Sequence, residues 1–109
     1  MKGKIVLVPF PFTDLSATKR RPCIVIYERV SDVLVAFISS IIPKVIGPNA
    51  ILIKPGDPEF AKTGLKKESV VYVDKLATLS KTLIFGELGE VGKNLKKKLN
   101  KAIRKIIKI

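Results

Sequence analysis

The stretch Lys19-Arg20-Arg21-Pro22-Cys23-Ile24-Val25-Ile26-Tyr27 joins a basic tripeptide to a run of β-branched residues, and its reading decides the fold. Proline fixes its own φ and holds the residue before it extended. A strand follows at once. Arg21 is therefore expected as a cation at the mouth of a sheet, on a stiffened backbone. Its planar guanidinium suits two parallel hydrogen bonds to a phosphate. The plainer alternative is a surface arginine at a loop–strand junction.

Outward from that stretch, short apolar runs recur with turn residues between them. Before it, Lys4-Ile5-Val6-Leu7-Val8 is a strand, ended by Pro9-Phe10-Pro11-Phe12. Thr13 to Lys19 is an exposed loop, the kind of connection that carries binding residues. After it, Pro22 to Arg29 is the second strand and Ser31-Asp32 a hairpin turn. Val33 to Ser39 is the third strand, apolar almost throughout, as in strands covered on both faces. Ile41, Ile42, Val45 and Ile46 carry apolar surface past its end. They either cap a barrel or face a second subunit, and the second reading is favoured.

Further strands are predicted at Asn49 to Lys54, Ser69 to Val73, Ala77 to Leu79 and Ile84 to Leu88. Phe60 to Lys67 reads as a loop or a single helical turn. One helix is expected, over about Val91 to Lys108. Val91, Leu95, Leu99, Ala102, Ile103 and Ile106 fall on one face at spacings of three and four. No repeat or linker divides the chain, so a single domain over residues 1–109 is expected, mainly β with a C-terminal helix.

The net charge of +12 favours a polyanionic partner. Eight of those charges are Lys93, Lys96, Lys97, Lys98, Lys101, Arg104, Lys105 and Lys108, with no acid after Glu90. Such a face is solvated, lies near nucleic acid, or rests on anionic lipid. The longest uncharged run, Val33 to Pro43, is too short to span a bilayer, and no signal peptide is expected. A lone cysteine points to a reducing, cytoplasmic setting, with Cys23 as a small buried hydrophobe. Histidine, glutamine and tryptophan are absent while lysine and isoleucine abound, which suits a thermophile or a codon bias.

Without histidine, and with one cysteine, the chain offers no zinc site and no Ser-His or Cys-His nucleophile. No glycine-rich loop leads into a helix to cradle a nucleotide. What remains is arginine, lysine, hydroxyls and backbone amides, a kit for gripping phosphates. Such a kit also suits one reaction on RNA, the attack of a 2′-hydroxyl on its own phosphate. That reaction needs alignment, charge neutralisation and help with proton movement, but no metal and no external nucleophile. Arg21 supplies the charge in this reading. Ser39 and Ser40 end the third strand and offer hydroxyls; turn formation is their ordinary role. Ser69, at another strand start, has the same two readings.

Gly3 to Asp14, Lys19 to Ile26, Val35 to Ser40, Gly64-Leu65, Ser69 to Leu79 and Gly86 to Gly89 together resemble the MazF/PemK toxin family, in order and spacing. The resemblance implies an SH3-like barrel of the MazF/PemK/CcdB type that forms a homodimer. It also implies the toxin of a type II toxin–antitoxin system, a metal-independent, sequence-specific endoribonuclease on single-stranded mRNA, restrained by an antitoxin protein. The family's catalytic arginine before the proline matches Arg21, and its catalytic threonine matches Ser39. Thr13, Lys19, Arg20, Ser40, Ser69 and Lys75 are the expected RNA-binding residues, with no cofactor or metal. An acid common after the first glycine is here Lys4. A glutamine and an arginine common near the sixth strand fall at Lys75 and Ala77. The alternatives are a non-catalytic basic barrel that coats nucleic acid, and a toxin that inhibits a protein target.

Overall fold

The computed structural model describes residues 1–9 and 19–109. Six strands form one antiparallel sheet: β1 Lys4–Pro9, β2 Arg20–Glu28, β3 Asp32–Ser39, β4 Ala50–Ile53, β5 Ser69–Ser80 and β6 Gly86–Glu90. Their spatial order is β4-β5-β3-β2-β1-β6, and the sheet curls as half of a barrel with β4 and β6 at its edges. Among the described residues there are two α-helices, α1 Phe60–Thr63 and α2 Lys93–Ile106, and a 3-10 turn at Lys81–Leu83. No helix among the described residues is long and apolar enough to cross a membrane.

Alternation along the central strands builds two cores. Ile24 and Ile26 of β2, with Ala36 and Ile38 of β3, turn toward α2 and meet Leu99 and Ala102. Cys23 and Val25, with Val33 and Val35, turn to the far face and meet Val6, Val8 and Leu79. This double cover explains the missing alternation in β3. The periodic face of α2 packs as its spacing predicts, through Leu95, Leu99, Ala102, Ile103 and Ile106. Cys23 is fully buried, and desolvation pushes its thiol up to about 12, so it behaves as a hydrophobe.

The structure corrects several boundaries, among them the last strand, expected at Ile84 to Leu88 and observed as β6, Gly86–Glu90, and the fourth, trimmed to Ala50–Ile53. The two strands predicted over Ser69 to Leu79 are one, β5. Its register on β3 jumps from Leu76 opposite Ala36 to Tyr72 opposite Phe37, so Val73, Asp74 and Lys75 form a bulge inside a continuous strand. β2 begins at Arg20, so Arg21 lies within the sheet, opposite Val8, rather than at a loop junction. Pairing of β2 with β3 starts only at Cys23. Pro22 therefore sits where the strand has one neighbour, a place that tolerates proline. The predicted helix is shorter at both ends, at Lys93–Ile106.

Both helices are held by backbone contact and capping. A Cβ on Gly64, whose φ is +73°, would meet the Leu88 carbonyl oxygen at 2.1 Å, and one on Gly89 would meet that of Lys62 at 2.3 Å. The α1 backbone thus lies directly on β6. The N-cap of α2 is Gly92, which has no side chain to offer. Glu59 supplies the cap from a distance, its carboxylate accepting from the Asn94 and Leu95 amides at 3.1 and 3.3 Å.

Candidate functional site

A cavity of about 360 Å³ opens where β2, β3 and β5 meet, lined by Arg21, Phe37, Ser39, Ile41, Tyr72 and Lys75 among others. Local sequence explains each placement. Cys23 pairs with Phe37, and extending that antiparallel register by two residues sets Arg21 opposite Ser39. Phe37 lies two residues before Ser39, hence on the same face, and pairs with Tyr72 on β5. The β5 bulge brings in Lys75, whose ammonium lies 4.4 Å from the centre of the Tyr72 ring. Arg21 is half-buried and Lys75 exposed. Ser39 Oγ accepts the Ile41 amide at 3.1 Å, a turn bond that leaves its own O–H available to donate.

The arrangement puts two cations, a hydroxyl and two rings around one concave surface. Cations and the hydroxyl suit a phosphate diester; the rings suit a base or sugar beside it. Among the described residues, no group of three Cys, Asp or Glu side chains is placed to hold a metal ion.

The other residues expected at the site fall elsewhere. Arg20 points to the opposite face from its neighbour, as alternation requires, and its guanidinium stacks 3.9 Å from the centre of the Phe85 ring. Ser69 is buried, its hydroxyl donating to the Lys67 carbonyl at 2.9 Å. Ser40 and Lys19 are exposed and do not line the cavity. Thr13 lies outside the described residues. Of the two positions that depart from the family pattern elsewhere, Lys4 bridges β1 to β6 through Glu87 at 3.3 Å and Glu90 at 3.5 Å. The Glu87 hydrogen bond, foremost, holds the Lys4 ammonium above its ordinary pKa. Ala77 is packed against the far-face core.

Phe37 and Tyr72 are the cavity residues that sequence reading missed. Both look like core residues in apolar runs. The signal for Phe37 is its place two residues before Ser39 in a strand.

A half-barrel antiparallel sheet with a C-terminal helix is a fold that solved toxin structures share. Solved structures of that kind superpose on it. A mycobacterial endoribonuclease in complex with its cognate antitoxin gives a TM-score of 0.71 at 20% identity, covering 96% of this chain and 91% of that one. The Mycobacterium tuberculosis toxin MazF-mt6 gives 0.70 at 20% identity, covering 94% and 93%. A further mycobacterial endoribonuclease gives 0.68 at 22% identity, covering 96% and 88%. At these identities the likeness establishes the fold. No protein of curated function matches the sequence. The sequence itself matches the family of PemK-like, MazF-like toxins of type II toxin–antitoxin systems over residues 1–107, and the chain belongs to that family.

Proposed function

We propose that the chain is a toxin acting as a metal-independent endoribonuclease on single-stranded RNA, with its chemistry in the Arg21–Ser39 cavity. The observation that carries this reading is the convergence of Arg21, Ser39 and Lys75 on one concave surface of a chain from this toxin family. Family structures that are endoribonucleases support it.

The 2′-oxygen attacks the adjacent phosphorus as the bond from phosphorus to the 5′-oxygen breaks. The products are a 2′,3′-cyclic phosphate and a 5′-hydroxyl, and the 2′-hydroxyl proton is matched by one delivered to the leaving oxygen. Negative charge builds on the non-bridging oxygens, where Arg21 neutralises it and the Ser39 hydroxyl donates to it. Lys75 holds the neighbouring phosphate or base and so fixes the in-line alignment. Phe37 and Tyr72 offer ring faces to an unstacked base. An antitoxin protein restrains the activity, and a homodimer is the working unit.

The test is product analysis. A long single-stranded RNA incubated with pure protein in EDTA should yield fragments ending in 2′,3′-cyclic phosphate and beginning with 5′-hydroxyl. No cleavage until a divalent metal is restored, or 3′-hydroxyl ends, would overturn the mechanism.

A further inference from the structure

The side chains around the Arg21 cavity offer hydrogen-bond donors far more than acceptors, and this bears on which base can sit there. Arg21 and Lys75 donate and have no acceptor. Ser39 Oγ accepts from the Ile41 amide, which leaves its O–H to donate. Among the described residues of the lining there is no carboxylate and no side-chain amide. The Tyr72 hydroxyl can donate or accept, so it favours neither class of base.

Arg21 and Ser39 serve the phosphate in the proposed reaction, which leaves Lys75 and Tyr72 for a base beside it. Lys75 lies on the β5 bulge, between the pairs Tyr72–Phe37 and Leu76–Ala36, and so is not committed to the ladder with β3. Its ammonium is held 4.4 Å from the centre of the Tyr72 ring. None of the ion pairs among the described residues engages it. Phe37 and Tyr72 stand opposite each other on neighbouring strands. A base stacked on either ring would bring an edge to the ammonium.

Bases differ at the edge position that such a donor tests. Guanine and uracil carry a carbonyl oxygen there, O6 or O4, whereas adenine and cytosine carry an amino group. A lysine bonds the oxygen. Against an amino group, donor faces donor and both go unpaired. Guanine adds N7 beside O6, a second acceptor for the same ammonium.

We propose that Lys75, held over Tyr72, selects the base beside the cleaved bond, taking guanine or uracil and rejecting adenine and cytosine. The inference rests on the reading of this cavity as the site of RNA cleavage and adds to it a rule for substrate choice.

The test uses a long RNA of random sequence, cut by the full chain in EDTA, with the new ends mapped by sequencing. One of the two positions flanking the cut should hold guanine or uracil at least tenfold more often than adenine or cytosine. In an oligonucleotide carrying the preferred site, exchanging guanine for adenine, or uracil for cytosine, should lower kcat/KM at least tenfold. Lys75→Arg, still a donor only, should keep the preference. Lys75→Gln, whose amide donates and accepts, should cut both classes within about threefold, and Lys75→Glu should shift the preference toward adenine and cytosine. Equal use of the four bases at both flanking positions by the native chain would overturn the proposal and leave RNA cleavage standing. So would a native preference that Lys75→Gln and Lys75→Glu retain, even at a lower overall rate, since Lys75 would then contact phosphate alone. Absence of any cleavage by the native chain would overturn the assignment of the cavity to RNA, and the base rule with it.

Discussion

Arg21 and Lys75 reach one cavity by different routes, the first on a proline-stiffened strand and the second on a bulge. Arg21 and Ser39 are candidates from their places at strand ends, and Lys75 from the family resemblance alone; all three line the cavity. Sequence reading could not separate Ser39 from Ser69, since a buried hydroxyl bonded to the Lys67 carbonyl looks the same in one dimension. It also grouped Arg20 with Arg21, although neighbours on a strand face opposite ways. The Glu28 carboxylate accepts from Lys81 Nζ at 2.6 Å and from the N-terminal ammonium at 2.5 Å. The Lys81 hydrogen bond, then that of the N-terminus, holds it down at about 2 from an ordinary 4.5. A lowered carboxylate stabilises the fold above its unfolded value and loses that contribution as pH falls from about 4.5 toward 2. The thermal unfolding midpoint should therefore fall as pH drops through that window, and Glu28→Gln should flatten the fall. Parallel curves for the two proteins would remove Glu28 from the account.

The elements that sequence patterns place well are those whose burial is one-sided or complete. The periodic face of α2 and the unbroken apolar run of β3 are of this kind. β5 was split in two because Asp74-Lys75 interrupts its apolar pattern. Only the pairing with β3 reveals that the strand bulges there and continues. The capping of α2 was equally hidden, since Glu59 lies far from the helix in sequence. Glu59→Ala should cost about 1 kcal/mol of stability, the usual loss for a removed cap. Chemical denaturation would measure it, with an unchanged midpoint as the contrary result. Gly89→Ala should cost more than Glu59→Ala, because its Cβ would meet the backbone of α1 rather than a movable side chain. A milder effect than the cap variant would show that α1 is free to move away from β6.

For the molecule as a whole, Ile41 and Val45 remain 76% and 81% exposed, so they cap neither core. Aliphatic surface of that kind beside the cavity is what a second copy would cover. Light scattering at micromolar concentration should give twice the 12.0 kDa chain mass. A monomer mass would mean that the cavity works within one chain. The charge of the molecule is divided in a way that separates binding from chemistry. The seven cations of α2 carry +7 of the net +12 on an exposed surface, whereas Arg21 is half-buried and aligned with Ser39. A uniform attraction lowers the free energy of bound RNA and its transition state alike, so it leaves the chemical step unchanged.

The most direct measurement is the single-turnover cleavage rate at saturating RNA, in EDTA, for the native chain and Arg21→Ala. Loss of one preorganised donor should remove at least ~2.7 kcal/mol of transition-state stabilisation, a fall of about a hundredfold, with only a modest loss of RNA binding. A rate retained by Arg21→Ala would contradict the account, because the cavity would then not be where RNA is cut.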